Sequence, residues 1–354
     1  MGKAAIGDSS SLNDLENNAT LSSYASRLCH QLNNSKRFNG CVDYLTATFE
    51  REEDVYAILI VQLIFSSVGI LLNGIVLVAL RLKPNRKKVD RLQEGFHSGI
   101  VANSIAYLLY HSRRIYIMNH RSWEWSTPIR CILTGWQTLF FNIADIHLSF
   151  SLLFMSIDCL NAFAMKSALR RLTDIFIYHF WWMLLAADLL GVVLQLFQAL
   201  PASTIVINIC WFYELFPPIY VNGHLILITI CDMISGSIYL CSIVLLILNR
   251  SQYDSVRAAQ VKRQLGIMRQ IVVVVSFCIV FQLIPFLFVM VSIYFQLDTE
   301  VIQVHLWTIQ TFGFAMVPLF RLTKDPTARK LLQGRLGLVA MNIAFPKGNL
   351  HHTV

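Results

Sequence analysis

Charged side chains are scarce in this chain. Only 14% of its 354 residues are Asp, Glu, Lys or Arg, whereas 55% are hydrophobic. Soluble domains carry roughly 25% charged residues, so this depletion is typical of a protein whose main solvent is lipid. The length alone would allow two soluble domains, but the apolar residues are gathered into long runs, which excludes that organisation.

The motifs of several function classes are also missing. No CxxC pair occurs among the eight cysteines, which argues against a structural zinc site. There is no His-Glu-x-x-His pattern, no Gly-x-Ser-x-Gly elbow and no P-loop, so we predict neither an enzyme nor a cofactor. The basic residues form short clusters without interleaved aromatic residues, which excludes nucleic-acid binding. Because no signal-peptide pattern is visible, we expect the first apolar run to be an uncleaved insertion signal.

Seven apolar runs are long enough to cross a membrane, which takes about 20 residues. They lie at roughly 56–80, 95–117, 129–160, 174–200, 223–248, 268–295 and 301–321. We therefore predict an all-α bundle of seven transmembrane helices over residues 56–321. A flexible N-terminal segment (1–55) precedes it, and a tail (322–354) with a short amphipathic helix follows.

The basic residues predict the orientation of this bundle. With the N-terminus outside, 20 of the 29 Lys and Arg residues fall in cytoplasmic loops and the tail. Positive residues are enriched in cytoplasmic loops, so we predict an external N-terminus and a cytoplasmic C-terminus. Asn18 and Asn33 begin glycosylation sequons in the external segment. The expected location is the plasma membrane, with the sensory cilium as one candidate.

Polar side chains within the predicted spans are candidates for function. Asp145, Asp188 and Asp232 each cost roughly 2.5–3.5 kcal/mol to insert at the bilayer centre. They either line a ligand cavity, bind a cation or act in a switch, or they simply accept hydrogen bonds from neighbouring helices. Asn73 and Asn103 could form a polar cluster with Asp145, although plain helix packing is the alternative for Asn73.

Four cysteines are expected in an oxidising compartment, where disulfides persist. Cys131 begins the third predicted span and Cys210 lies in the second external loop, so a bridge between them would tie the loop across the mouth of the bundle. Cys29 and Cys41 are candidates for a second bridge, with free or exchanged thiols as the alternative. The other four cysteines are most simply buried small side chains.

Several strings resemble motifs of the rhodopsin-like G-protein-coupled receptors. LLNGIVLV is similar to the Gly-Asn-x-x-Val element of the first span, with Asn73 in the asparagine's place. IVANSIAYLL resembles the Leu-Ala-x-x-Asp motif, with Asn103 where the family has aspartate. MSIDCLNAF resembles the Asp-Arg-Tyr region, with Asp158 matching and Cys159 replacing arginine. The resemblance covers residues 56–332.

Two prolines extend this resemblance. Pro318 in VPLFRL matches the proline of the Asn-Pro-x-x-Tyr motif, and Pro285 matches the proline of the sixth helix. A proline inside a helix kinks it, so both positions are natural pivots. The eroded motifs, together with the KDPTAR string after the last span, resemble the nematode serpentine chemoreceptor families. Because Cys159 cannot form the ion pair of the family's arginine, we predict that this lock is absent.

The resemblance implies a receptor that binds an extracellular small molecule or peptide and activates a heterotrimeric G protein. The ligand is expected beneath the loop of Cys210, between helices three, five, six and seven, at Thr138, Asn142, Phe281, Gln282, His305 and Gln310. The sixth helix would swing about Pro285 and expose a G-protein-facing surface at Cys159, Arg257, Lys262, Arg263 and Arg269. A chemosensory role is favoured.

Other functions stay open at this stage. A receptor of the same fold for a neuropeptide or an amine is one alternative. A seven-helix ligand-gated channel of opposite orientation is another, against which the distribution of basic residues argues. A transporter is the third, although the matched halves with broken helices that transporters often show are not visible.

Overall fold

The structure, a computed structural model, is almost entirely helical in the residues that it describes. These are residues 23–30, 32, 41–83, 86–164, 167–200, 205–211, 215–249, 275–276, 279–295 and 300–324. In chain order, the described helices are α1 (23–30), α2 (Cys41–Asp54), α3 (Tyr56–Arg81), α4 (Lys88–His120), α5 (Pro128–Thr134), α6 (Gln137–Ala164), α7 (Ser167–Tyr178), α8 (Phe180–Ala199), α9 (Pro218–Asn249), α10 (Ile284–Phe295) and α11 (Glu300–Lys324). A π-helical segment (Ile279–Leu283) precedes α10, and strands β1 (Trp125–Ser126) and β2 (Val206–Ile207) pair antiparallel.

Four of the described helices are long and apolar enough to cross a membrane. These stretches are Tyr56–Arg81, Gln137–Asn161, Phe180–Ala199 and Pro218–Leu245. Three of these stretches, Tyr56–Arg81, Phe180–Ala199 and Pro218–Leu245, expose large apolar side chains, among them Leu71, Trp182, Val193 and Leu240. Extended apolar surfaces of this kind are unfavourable in water and favourable in lipid. The length, composition and outer faces of these helices therefore indicate a membrane protein.

Helix α4 is long but polar, and it lies inside the bundle between α3 and α6. Its buried side chains include several charged and polar ones: Asp90, Glu94, His97, Asn103 and Arg114. Because these polar groups are buried against other helices, α4 can be less apolar than the four helices named above. Helix α11 also packs on α3, and α6 also contacts α8 and α9.

Two predicted spans are interrupted in the structure. The third, 129–160, is divided between α5 and α6, because Gly135 leaves the helical conformation and its N–H donates to Cys131 O at 2.7 Å. This bond satisfies a carbonyl group at the end of α5. The fourth, 174–200, is divided at His179 between α7 and α8.

The second predicted span, 95–117, is shorter than the helix that contains it. At its start, the Asp90 carboxylate accepts a hydrogen bond from the Lys87 N–H at 2.8 Å, which satisfies a free donor of the first turn. At its end, Arg121 adopts a left-handed conformation with φ 47°, a common way to terminate a helix. The helix therefore extends the predicted span by about two turns at its start and about one turn at its end.

The described part of the N-terminal segment differs from the flexible segment (1–55) that was predicted. The Cys29–Cys41 disulfide joins α1 to α2. Phe49 on α2 is buried, and its ring centroid lies 4.4 Å from that of Trp123, which follows α4. A covalent link and an aromatic contact therefore hold these helices against the bundle.

Two apolar clusters occupy opposite ends of the bundle. The first surrounds the early turns of α4 and includes Phe96, Leu148, Met155, Cys159 and Phe180. The second surrounds the disulfide between Cys131 and Cys210 and includes Val221, Leu225, Phe286 and Val289. We call these regions the Phe96 end and the disulfide end. The cavity described next lies at the disulfide end.

Candidate functional site

A covalent link and a short ribbon close the disulfide end. Cys131 at the start of the third predicted span is bonded to Cys210, with an S–S distance of 2.05 Å. This is the pairing that the sequence predicts. Strand β2, a few residues before Cys210, pairs with β1, so Trp125 lies opposite Ile207. The loop that carries Cys210 is therefore tied at two points to the connection between α4 and α6.

Beneath this loop lies a cavity of about 350 Å³. Side chains from α2, α3, α4, α6, α9, α10 and α11 line it, together with Cys210 and its neighbour Trp211. Its walls are largely aromatic and aliphatic: Tyr107, Tyr110, Phe141, Leu225, Phe286 and Trp307. Small-molecule sites typically enclose 300–1,000 Å³ and combine apolar walls with a few polar groups, so both the size and the lining suit a small ligand.

A buried ion pair forms part of the cavity wall. Arg114 of α4 donates from Nε and Nη2 to the two carboxylate oxygens of Glu52, at 2.8 and 2.6 Å. Both side chains are almost fully buried, at 7% and 1% exposure. The two-pronged geometry compensates both charges. It also anchors α2, which precedes the bundle, to the C-terminal part of the polar helix α4.

A second charged contact crosses the cavity from α6 to α9. His224 Nε2 lies 2.9 Å from the Asp145 carboxylate, and both residues line the cavity. Asp145 was one of three aspartates for which the sequence left a ligand role and a packing role open. In this structure its carboxylate faces the cavity and is already engaged by the imidazole ring.

Four other lining side chains have buried polar atoms that, within the described residues, find no hydrogen-bond partner. The atoms are Gln62 Oε1, Asn103 Nδ2, Gln137 Nε2 and both ring nitrogens of His111. Buried polar atoms in proteins are nearly always paired with protein or water. Unpaired atoms around a cavity therefore mark the positions where a ligand or water would be bound.

Of the six predicted ligand-contacting residues, two line the cavity, namely Thr138 and Gln310. Gln310 Oε1 also accepts a hydrogen bond from the Tyr107 hydroxyl at 3.1 Å. The other four are absent from the described lining. Asn142 packs on Gly191, where a Cβ atom would lie 2.3 Å from Asn142 Nδ2.

The remaining three predicted residues are on the sixth and seventh spans. Phe281 packs against Gly313, where a Cβ would lie 2.3 Å from Phe281 Cγ. Gln282 is buried, and its Nε2 lies 3.5 Å from Ser149 Oγ. His305 is exposed. A one-dimensional pattern does not determine which side of a kinked helix faces inward, and these positions point away from the cavity.

The predicted cluster of Asn73, Asn103 and Asp145 is divided in the structure. Asn73 Nδ2 donates to Gly69 O and Phe314 O, at 2.8 and 3.2 Å, and its Oδ1 accepts from His97 at 2.8 Å. Asn73 therefore joins α3, α4 and α11, in keeping with the packing alternative. Asn103 and Asp145 line the cavity instead.

Asp188 and Asp232 lie away from the described cavity lining. Asp188 Oδ2 lies 2.9 Å from His147 Nε2, and His147 Nδ1 lies 2.7 Å from Ser98 Oγ. This chain of contacts connects α8, α6 and α4. Asp232 is buried within α9.

The predicted switch and partner positions are only partly described. Pro285 lies in the first turn of α10, directly after the π-helical segment, and Pro318 lies inside α11. Asp158 is half-buried, whereas Cys159 is buried in the apolar cluster of the Phe96 end. The remaining G-protein-facing residues (Arg257, Lys262, Arg263 and Arg269) and the glycosylation sites (Asn18 and Asn33) lie outside the described residues, as does the tail beyond 324.

Sequence reasoning missed the polar residues that define the cavity: Gln62, His111, Gln137 and the Glu52–Arg114 pair. One signal was available, because Gln62 interrupts the apolar string AILIVQLIF of the first span. A polar side chain in such a string is rarely placed against lipid. For Glu52 no local signal exists, since its partner is 62 residues away.

No protein-family model matches this chain, and no curated protein matches it significantly.

Proposed function

We propose that this protein is a seven-helix receptor that binds a small extracellular ligand and activates a heterotrimeric G protein. The observation that carries the proposal is the cavity beneath the disulfide-anchored loop, with its apolar walls and unpaired polar atoms. A ligand-activated receptor needs a site of this kind, lined by several helices so that binding changes how they pack.

Seven spans and an external N-terminus are part of this proposal. Four apolar helices support it directly. Helices α4 and α11 both pack on α3 within the bundle, and α10 with its π-helical segment supplies the remaining span. Two disulfides at one end of the bundle and the concentration of basic residues in the opposite connections and the tail support an external N-terminus.

The sixth span is the proposed moving part. The π-helical segment widens the backbone just before Pro285, and such segments are frequent at functional sites. On one side of this break, Phe286 lines the cavity; on the other, Phe281 packs on Gly313 of α11. A ligand that contacts Phe286 would thus act directly next to the hinge. The G-protein-facing end of the bundle would respond by opening around Cys159.

A small chemosensory ligand is favoured over a neuropeptide within this proposal, because the cavity is of small-molecule size and α2 with the loop of Trp211 covers part of it. A neuropeptide or amine receptor is the alternative of the same fold. A ligand-gated channel or a transporter is the alternative from another class, and measurements of ion or substrate flux distinguish these from a receptor.

The decisive experiment is G-protein activation in membranes that contain the full chain. We would measure GTPγS binding to co-expressed G protein, with and without a broad panel of small ligands. Cys159→Arg is tested beside it, with Cys159→Ala as the matched control for disturbing a buried position. Surface expression is quantified for each variant.

Activation by wild-type protein or by Cys159→Arg, but not by empty membranes, would support the receptor proposal. Higher GTPγS binding in Cys159→Arg, but not in Cys159→Ala, would assign residue 159 a role in G-protein engagement. If none of the three forms raises GTPγS binding although each is present at the cell surface, the receptor proposal would be overturned in favour of a channel or transporter. Glycosylation of Asn18 and Asn33 in the same cells reports the orientation.

A further inference from the structure

We propose that the cavity takes an uncharged, ring-containing ligand that both donates and accepts hydrogen bonds, such as an aryl amide, rather than an amine or a carboxylate. This inference rests on the proposed ligand-binding function and specifies its chemistry. It is argued from the charge balance of the lining, from its unpaired atoms and from the shape of its walls.

The charges of the described lining are already compensated. Arg114 and Glu52 form a two-pronged pair, and Asp145 is engaged by His224 at 2.9 Å. The Arg51 guanidinium lies 4.6 Å from the ring centroid of Trp211, which is favourable for a cation. A charged ligand would have to displace one of these partners and leave it buried and unpaired, which is costly.

The contact between Asp145 and His224 argues against an amine ligand. Asp145 carries the carboxylate that a cationic ligand would seek, but an ammonium group could reach it only by competing with His224. The other carboxylate of the described lining, Glu52, has both oxygens bonded to Arg114. Neither acid is therefore free to neutralise a positive ligand.

The unpaired atoms define what the ligand must offer instead. Asn103 Nδ2 and Gln137 Nε2 are donors, so the ligand must present acceptors to them. Gln62 Oε1 is an acceptor, because the Nε2 of the same side chain already donates to Val304 O and Thr308 Oγ1. A neutral His111 adds one donor and one acceptor. Donor and acceptor groups on one molecule satisfy this set, whereas a hydrocarbon leaves it unpaired.

The walls select a flat ring. Tyr107 and His111 stack with their ring centroids 5.4 Å apart and an interplanar angle of 11°, and Phe141 packs edge-on to Tyr107 at 5.0 Å. Phe286 and Trp307, which also line the cavity, form a second aromatic contact with ring centroids 5.6 Å apart. Aromatic groups prefer offset-stacked and edge-to-face partners, which a ring bound against either set of aromatic side chains would find.

Four probes that share one ring test the inference: benzamide, benzylamine, benzoate and toluene. They differ in charge and hydrogen-bonding capacity while keeping nearly the same ring. Binding is measured by surface plasmon resonance on the full-length protein in nanodiscs. We expect benzamide to bind at least about tenfold more tightly than each of the others, since one unpaired buried group corresponds to roughly that factor.

Two variants connect this preference to the cavity. His111→Phe and Gln137→Leu should each weaken benzamide binding by about threefold to tenfold while leaving toluene binding unchanged. Gln195→Leu is the matched control, because Gln195 is equally buried but lies on α8 outside the described lining. Tryptophan-fluorescence melting verifies that each variant is folded. Because two cavity variants are made, the inference can still be tested if one of them does not fold.

Three results would overturn the inference. The first is tighter binding of benzylamine than benzamide, lost in Asp145→Asn. The second is equal binding of benzamide and toluene. The third is benzamide binding that both cavity variants leave within twofold of wild type. Because none of these measurements requires a G protein, selective benzamide binding without GTPγS exchange would contradict the receptor proposal alone. GTPγS exchange driven by an amine through Asp145 would contradict the ligand class alone.

Discussion

The disulfide end and the Phe96 end of the bundle are built in opposite ways. At the Phe96 end, side chains such as Phe96, Leu148 and Phe180 are almost completely buried in a continuous apolar cluster. Backbones approach closely there, since a Cβ on Gly95 would lie 2.5 Å from Phe180 Cε1. At the disulfide end, a cavity, a buried ion pair and several unpaired polar atoms occupy the corresponding space.

This difference distinguishes polar side chains that stabilise the fold from polar side chains that are available to bind a ligand. Several polar groups near the Phe96 end are paired: Asn73 bonds α11 and His97, and Glu94 pairs with Arg81 and Arg86. Groups left unpaired in the cavity lower stability unless something binds them. Four cavity-lining side chains with such atoms around one space are consistent with ligand binding there. The following variants test this contrast, beginning with the largest expected effect.

Breaking the buried ion pair should have the greatest effect. Arg114→Met leaves Glu52 buried and unpaired, and we expect a loss of about 3–5 kcal/mol in unfolding free energy. SDS titration of the purified protein measures it. Lys88→Met, which removes the exposed pair with Asp174, is the control and should cost no more than about 1 kcal/mol. Equal losses in both variants would mean that the disulfide end does not depend on this pair.

Removing the Cys131–Cys210 disulfide should cause the second-largest loss of stability. The Cys131→Ala/Cys210→Ala variant should lose about 2–4 kcal/mol, because the bridge closes a long loop in the unfolded chain. Cys29→Ala/Cys41→Ala should lose less, since its bridge spans 12 residues rather than 79. Thermal melting of both variants, with and without reductant, measures the difference. A reversed order would show that native-state packing of α1 and α2 outweighs loop closure.

Close packing at the Phe96 end predicts a third effect. Gly95→Ala should destabilise the protein by about 1–3 kcal/mol, because its methyl group meets Phe180 and Ser151 Oγ. Gly74→Ala is the matched control, as a Cβ there has no heavy atom within 4 Å, and alanine is the better helix former. Its melting temperature should be unchanged or higher. Similar melting for both variants would indicate that α4 and α8 separate easily.

The smallest effect is expected in the cavity itself. His111→Phe replaces two unpaired ring nitrogens with carbon while preserving the ring that stacks on Tyr107. Stability measured by chemical denaturation should therefore be unchanged or higher by up to about 1 kcal/mol. A loss above 2 kcal/mol would instead give His111 a structural role. Stability gained together with ligand binding lost is the usual sign of a functional position.

Much of the bundle was predictable from local patterns. The first and seventh predicted spans, 56–80 and 301–321, match α3 and α11 within a few residues, because long, mostly apolar runs favour long helices that pack together. The positions at which helices end or are interrupted were harder to predict from the sequence. The left-handed turn at Arg121 and the interruption at Gly135 depend on capping geometry, and the order of α2 depends on a disulfide and on Trp123.

The site was predicted only where a residue's chemistry and its helix face agreed. Thr138 and Gln310 line the cavity, whereas Phe281, which lies within the π-helical segment, packs on Gly313. Pairs that join distant elements, such as Glu52 with Arg114, require the tertiary fold. Family motifs did not indicate this pair either, because Glu52 and Arg114 lie outside the motif positions.

The Glu52–Arg114 pair also has a consequence for biosynthesis. Glu52 leaves the ribosome 62 residues ahead of the guanidinium that neutralises it. Its carboxylate can be neutralised by Arg114 only once α4 has been synthesised and packs alongside α2. Stable docking of α2 is thus expected to wait for the folding of α4 in the nascent chain.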